Sequence, residues 1–250
     1  MYTSFAEVYD QLMDNVDYEG WADFYRELLR IGGVVSGKIC ECACGTGSLT
    51  LPLHRRGFQM TGVDLSQEML WIAAQKARKM GIGIPFVQQD MRTLRLHRQM
   101  DAVIATCDGV NYLLTDEDVC AFLRSAWAAL KPGGVIAFDV STPWKLQNVL
   151  GNELIVEDRD DVTYMWQNNF SRKTGVVEMN LCFFLREKDG RYRRIDETQK
   201  QKAHSMDHLT ALLEGCGFTG VQVYGNSRLE APRDKEQRWH FVARKPEITE

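Results

Sequence analysis

The chain has 250 residues, 44% of them hydrophobic, enough to bury the core of one domain with or without an insertion, and two independent folds are not expected. Thirty Lys and Arg against 34 Asp and Glu leave a net charge of −4, which gives no support to a polyanionic partner. The opening MYTSFAEVYD has neither a basic start nor an apolar run, no stretch approaches the roughly 18 apolar residues that span a bilayer, and the seven cysteines follow no secreted disulfide framework, so a soluble cytoplasmic protein with reduced thiols is expected.

Residues 5–21, FAEVYDQLMDNVDYEGW, carry aromatic side chains at helical or near-helical spacing ahead of the first core strand. Residues 1–35 are expected to form a helical gate. Short apolar runs then read as parallel strands buried on both faces, at 38–42, 59–64, 84–89, 100–106 and 134–140. Ser66 is placed to cap a helix over 67–80, with Leu70, Ala73, Ala74 and Ala77 on one face. Thr115 is placed to cap the next, whose first turn, Asp116 to Asp118, suits the positive end of a helix dipole.

Beyond Val140 the hydrophobic period shortens to two, with turns expected at 173–175 and 189–190. About 60 residues cannot remain a plain loop in a compact domain, so 144–204 reads as an inserted antiparallel β cap. The core resumes at 205, where Ser205 caps a helix carrying Leu209, Leu212, Leu213 and Cys216 and ending at Gly217, and strands at 218–225 and 238–245 close the chain. The expected fold is α/β: a Rossmann-like, seven-stranded, mostly parallel sheet with helices on both faces, built from 36–143 and 205–250.

The chemistry concentrates in ECACGTGSLT, residues 41–50. Cys40, Cys42 and Cys44 alternate along a strand with no second CxxC or His pair, so no metal is expected and Cys40 and Cys42 read as small buried side chains. A dinucleotide fingerprint asks for glycine where Thr50 stands, and the Gly-Lys-Ser/Thr of a phosphate loop is absent. What remains is a glycine-rich turn at the end of a first strand, where α/β sheets hold cofactors.

Glu41-x-x-Cys44-Gly45-x-Gly47, Asp64 in GVDLSQEML, Asp90-Met91 after the third strand and LKPGG before the fifth, in that order, resemble the class I S-adenosylmethionine-dependent methyltransferases. The likeness covers 36–140 closely and the last two strands in outline. The N-terminal segment and the insertion are similar to small bacterial members and to sugar-amine N,N-dimethyltransferases. The resemblance implies that Gly45 and Gly47 let the backbone approach S-adenosylmethionine, with Ala43, Cys44, Leu65 and Cys107 beside it. It implies that Glu41 orients the cofactor amino group, Asp64 accepts the ribose hydroxyls, Asp90 takes the adenine amino group, and the Met91 N–H reaches a ring nitrogen. Tyr18 would close over the cofactor.

Methyl transfer from a sulfonium needs an unprotonated nucleophile held in line more than an elaborate catalytic apparatus. The candidate catalytic residues are Tyr9, Asp108 and His204; Asn111, Tyr112 and Trp166 are candidates for substrate contact, and Trp21 for a pocket wall. A small-molecule acceptor methylated at N or O is the leading expectation, with the protein a monomer or homodimer. An RNA methyltransferase and a non-catalytic binder of the cofactor are the alternatives. Against RNA, Arg191 and Arg193 fall on one strand face and Arg194, Lys200 and Lys202 on the other, interrupted by Asp196 and Glu197.

Overall fold

The computed structural model describes residues 6–247. Short apolar runs and capped amphipathic stretches alternate as the sequence pattern demands. The chain runs α1 (Ala6–Leu12), α2 (Tyr18–Ile31), β1 (Lys38–Cys42), α3 (Thr50–Arg55), β2 (Gln59–Asp64), α4 (Gln67–Lys79), β3 (Phe86–Gln88), β4 (Met100–Ala105), α5 (Asp116–Ala129) and β5 (Leu130–Ser141). It continues through β6 (Leu154–Asp158), β7 (Val162–Ser171), β8 (Val176–Arg186), β9 (Tyr192–Lys202), α6 (Met206–Gly215), β10 (Thr219–Gly225) and β11 (Arg238–Arg244). The Ser66, Thr115 and Ser205 hydroxyls accept from the N–H three residues on and start α4, α5 and α6.

The main sheet has seven strands in the order β10-β11-β5-β4-β1-β2-β3; β11 is antiparallel to both its neighbours and the rest are parallel. One face packs against α5 and α6 through Val119, Phe122, Leu209 and Leu213, and the other against α2 and α3 through Tyr25, Leu28, Leu29 and Leu53. Two strands differ from the sequence expectation by more than one residue at an end. β3 shrinks to three residues because it is an edge strand that pairs only with Gly62–Asp64. β5 starts four residues early, at Leu130, and a register shift against β4 between Met100 and Ala102 absorbs the Pro-Gly-Gly segment.

The insertion forms a second, antiparallel sheet, β6-β7-β8-β9, preceded by a short π-helix, Lys145–Leu150. Its inward residues alternate along β8: Val177, Met179, Leu181, Phe183 and Leu185 are buried, with polar residues between them. Val8 of α1 joins this apolar cluster, together with Leu146 and Leu150. The N-terminal segment therefore divides. α1 packs with the cap, whereas α2 buries Leu28 and Leu29 completely on the main sheet, at about 1.5–3 kcal/mol each, and is fixed structure. A gate extending through residue 35 is not what this packing allows. No helix among the described residues is long and apolar enough to cross a membrane.

Candidate functional site

The parallel strands all end at one edge of the sheet, and the turns that follow them build the site. After β1, Ala43 (φ 52°), Gly45 (54°) and Gly47 (72°) are left-handed; after β4, so are Cys107 (54°) and Asp108 (57°). Non-glycine residues adopt this conformation at a cost of about 1 kcal/mol or more, so three of them at one edge mark a backbone held by its surroundings. The two turns touch: a Cβ on Gly109 would lie 3.0 Å from that of Ala43.

A cavity of about 770 Å³ opens above these turns. Its base comes from Ala43, Gly45, Asp64, Asp90, Met91, Cys107 and Asp108, one side from α1 through Tyr9 and Leu12, and its roof from the inward face of the cap, including Tyr164, Trp166, Leu181 and Phe183. A Cβ on Gly45 would meet no protein atom within 4 Å, so the bare face of this glycine is given over to the cavity. Gly47 serves differently: its missing Cβ would come within 3.1 Å of the Ala73 Cβ, so it allows α4 to pack, and it does not line the cavity.

Asp64 accepts from the Gly45 N–H at 2.8 Å and from the Ser66 N–H at 2.9 Å. Burial raises its carboxyl, and these N–H groups oppose the rise. Leu65 follows on the cavity wall, 64% exposed. The Asp90 carboxylate is engaged by the Arg92 guanidinium, which holds it below its usual range, and Arg92 reaches on to Asp118.

The other half of the base is a charged cluster. Arg238 pairs with both Asp108 and Asp139 and lies over the Trp21 ring, 5.0 Å from its centroid. Asp139 also accepts from the Tyr25 hydroxyl and the Asp108 N–H, each at 3.1 Å, and Asp108 accepts from Gln201 of the cap at 3.2 Å. Burial alone would raise the Asp108 carboxyl; Arg238, Lys145 and the hydrogen bonds outweigh it and hold the group at about 2. Burial, seconded by neighbouring acidic groups, raises the Tyr9 hydroxyl far above its ordinary value, so it keeps its proton.

Several expected site residues sit elsewhere. Glu41, Tyr18 and Cys44 line a separate small pocket of about 30 Å³ behind the glycine turn, which shares Tyr9, Ala43, Gly45 and Cys107 with the large cavity. Glu41 is buried there, accepts from the Thr50 and Thr106 hydroxyls at 2.6 and 2.9 Å, and is pushed up to about 7 by burial against those two bonds. Asn111 is not placed for substrate: fully buried, it donates to the Ser141 and Lys202 carbonyls and accepts from the Ser141 N–H, tying β5 to β9. His204 is not placed for catalysis either. It is 3% exposed, outside the cavity, with Nε2 2.9 Å from the Leu113 carbonyl, and burial lowers its pKa. Tyr112 does line the cavity, its hydroxyl donating to Gln199 of the cap at 2.7 Å.

Sequence reading missed Asp10, Lys145, Gln201 and Arg238. The last three belong to no motif and meet the site through contacts some 30 to 130 positions away in the chain. Asp10 had a local signal, since it follows Tyr9 on the candidate gate helix.

The geometry fits S-adenosylmethionine: a bare glycine face, a half-buried carboxylate at the end of β2 and a roomy cavity adjoin. Comparison with known proteins agrees. A family model described as a methyltransferase domain matches residues 39–134. A protein of Geobacillus sp. (strain WCH70) named as a methyltransferase is 35% identical over 98% of this chain and 99% of its own length. The dTDP-3-amino-3,4,6-trideoxy-alpha-D-glucopyranose N,N-dimethyltransferase of Streptomyces venezuelae is 29% identical over 71% of this chain and 74% of that protein. Among solved structures, an S-adenosylmethionine-dependent methyltransferase from Clostridium acetobutylicum ATCC 824 superposes with a TM-score of 0.88 at 30% identity, covering 97% of this chain and 98% of that one. The chain belongs to the class I S-adenosylmethionine-dependent methyltransferases.

Proposed function

We propose that the protein methylates nitrogen or oxygen of a small-molecule acceptor bound between the β4 and β5 turns and the inserted sheet. The observation that carries this reading is the cavity itself: it extends past the cofactor-side residues Gly45 and Asp64 to a second half, walled by Asp108, Tyr9 and the apolar inward face of the cap. S-adenosylmethionine supplies an electrophilic methyl group. The chain positions the acceptor against it and excludes water, with Tyr9 and Asp108 at the junction of the two halves.

The protonation states favour an acceptor that arrives with a free lone pair. Asp108, held near 2, is a weak proton acceptor at neutral pH, and Tyr9 keeps its proton. A neutral amine meets this condition unaided, and the Streptomyces venezuelae relative is named for methylating an amino sugar. Glu41 would orient the cofactor amino group from behind the turn, Asp64 would accept the ribose hydroxyls, and Asp90 with Met91 would contact the adenine.

An RNA acceptor has little to hold it. Arg191, Arg193 and Arg194 pair with Asp189, Glu187 and Asp196 on the cap. Mass spectrometry of a metabolite extract incubated with the protein and S-adenosylmethionine tests the proposal, and small methylated products are expected. Failure of the protein to bind S-adenosylhomocysteine in calorimetry would sink it, and so would submicromolar RNA binding that falls when these arginines are neutralised.

A further inference from the structure

Three cations line the large cavity among the described residues, and two of them are spent. Arg92 is paired with Asp90 and Asp118, and Arg238 with Asp108 and Asp139. The third, Lys145, is half-buried and donates to the Ser141 hydroxyl at 3.1 Å; no carboxylate among the described residues lies within ion-pairing distance of it. An ammonium group has three N–H donors and this one uses one of them. Asp108 and Asp139 attract it through space, but both are already paired with Arg238, and a charge taken out of water is retained where something answers it.

A second unanswered donor belongs to a residue that lines the same cavity. The Trp166 indole Nε1 is buried without an acceptor. Trp166 lines the cavity from β7, and the Lys145–Leu150 segment packs against the same cluster as Trp166 through Leu146 and Leu150. Both donors therefore belong to the cap side of the cavity, apart from Asp64 and Asp90. Glu197 lines the cavity from β9 and sets the opposite polarity there, so a negative group belongs at Lys145 and not beneath β9.

Resting on the proposed function, we infer that the acceptor carries an oxyanion, a carboxylate or a phosphate, which docks on Lys145 with the Trp166 N–H as a second donor. Its apolar part would lie beneath Leu181 and Phe183. The anion anchors one end of the acceptor, so the reacting atom at the other is fixed relative to the methyl group.

The test has two arms. In the first, lysine-labelled protein with and without S-adenosylhomocysteine is titrated with inorganic phosphate and, separately, with acetate, while the Lys145 side-chain resonance is followed by NMR. A saturable shift with phosphate alone identifies a phosphate source, one with acetate a carboxylate, and no shift with either overturns the inference. In the second, S-adenosylmethionine carrying a deuterated methyl group is incubated with a metabolite extract, and labelled products are separated by charge. The labelled product should be anionic. Lys145→Met should raise the KM for it about ten- to a hundred-fold with kcat less affected, and Lys145→Arg should recover part of the loss. A neutral or cationic product, or an unchanged KM in Lys145→Met, overturns the inference while leaving methyl transfer standing. Absence of S-adenosylhomocysteine binding is the distinct failure of the function itself.

Discussion

Asp10 on α1 and Lys76 on α4 form an ion pair of 2.9 Å, and the Thr46 and Ser48 hydroxyls of the glycine turn bond to both partners. α1 is thereby latched to the glycine turn by its polar face, while Val8 on the opposite side packs with the cap. Only seven residues long and pinned by few buried side chains, this helix is the element we predict to open.

Lys76→Met should loosen the latch. The pair is partly exposed, so the expected effect is only about 0.5–1 kcal/mol, a two- to five-fold rise in opening. Hydrogen exchange of 6–12 with and without S-adenosylhomocysteine reads it directly. Faster exchange in the variant, slowed again by ligand, is expected; equal protection in all states would make α1 permanent structure.

Glu41 should give cofactor binding a pH signature. Its carboxyl sits at about 7 in the free protein, and a cationic amino group beside it would favour the charged form and expel a proton. Affinity for S-adenosylhomocysteine should therefore rise with pH through that value, by up to roughly ten-fold per unit below it. The same raised carboxyl costs the free protein stability as pH climbs from its ordinary 4.5 to about 7, because the folded chain binds the proton more tightly than the unfolded one. Calorimetry in buffers of different ionisation heat checks the proton release, and Glu41→Gln should abolish it. No proton release by the wild type would remove Glu41 from the contact.

Asp64→Ala should weaken cofactor binding about ten- to a hundred-fold, the worth of a charge-assisted contact. The carboxylate also holds the Gly45 N–H, so Asp64→Asn, which keeps an acceptor oxygen, should lose less. Equal affinity in wild type and Asp64→Ala, measured by calorimetry, would free Asp64 from any role in binding.

Arg238→Met should destabilise the fold by about 3–5 kcal/mol, since it strands two carboxylates, one fully buried, beneath the cavity. Urea denaturation gives the number. Adding Asp139→Asn should restore part of it, and a loss that the second change does not touch would mean that packing over Trp21 dominates.

What the sequence displayed was set by near neighbours. The caps at Ser66, Thr115 and Ser205 act over three residues, and the strand-ending Asp64 closes a turn two residues long, so both could be read locally. Asn111 and His204 looked like site residues because a polar side chain after a strand or before a helix often is one. Their partners, Lys202 and Leu113, each lie 91 positions away and claim those polar atoms for the junction of core and cap. Arg238 escaped notice for the same reason: the carboxylates that define it stand 99 and 130 residues earlier in the chain.

The shared packing of α1 and the cap bears on how new specificities could be built from this scaffold. Residues 144–204 form one continuous insertion and invite transplantation from a homologue, yet Val8, in sequence far from that insertion, belongs to its apolar cluster, and Arg159 on the cap reaches back to the Gln11 carbonyl and Asp14. A chimera that exchanges only the insertion would present α1 with a foreign surface. The exchangeable unit is discontinuous: the first helix and the inserted sheet should travel together.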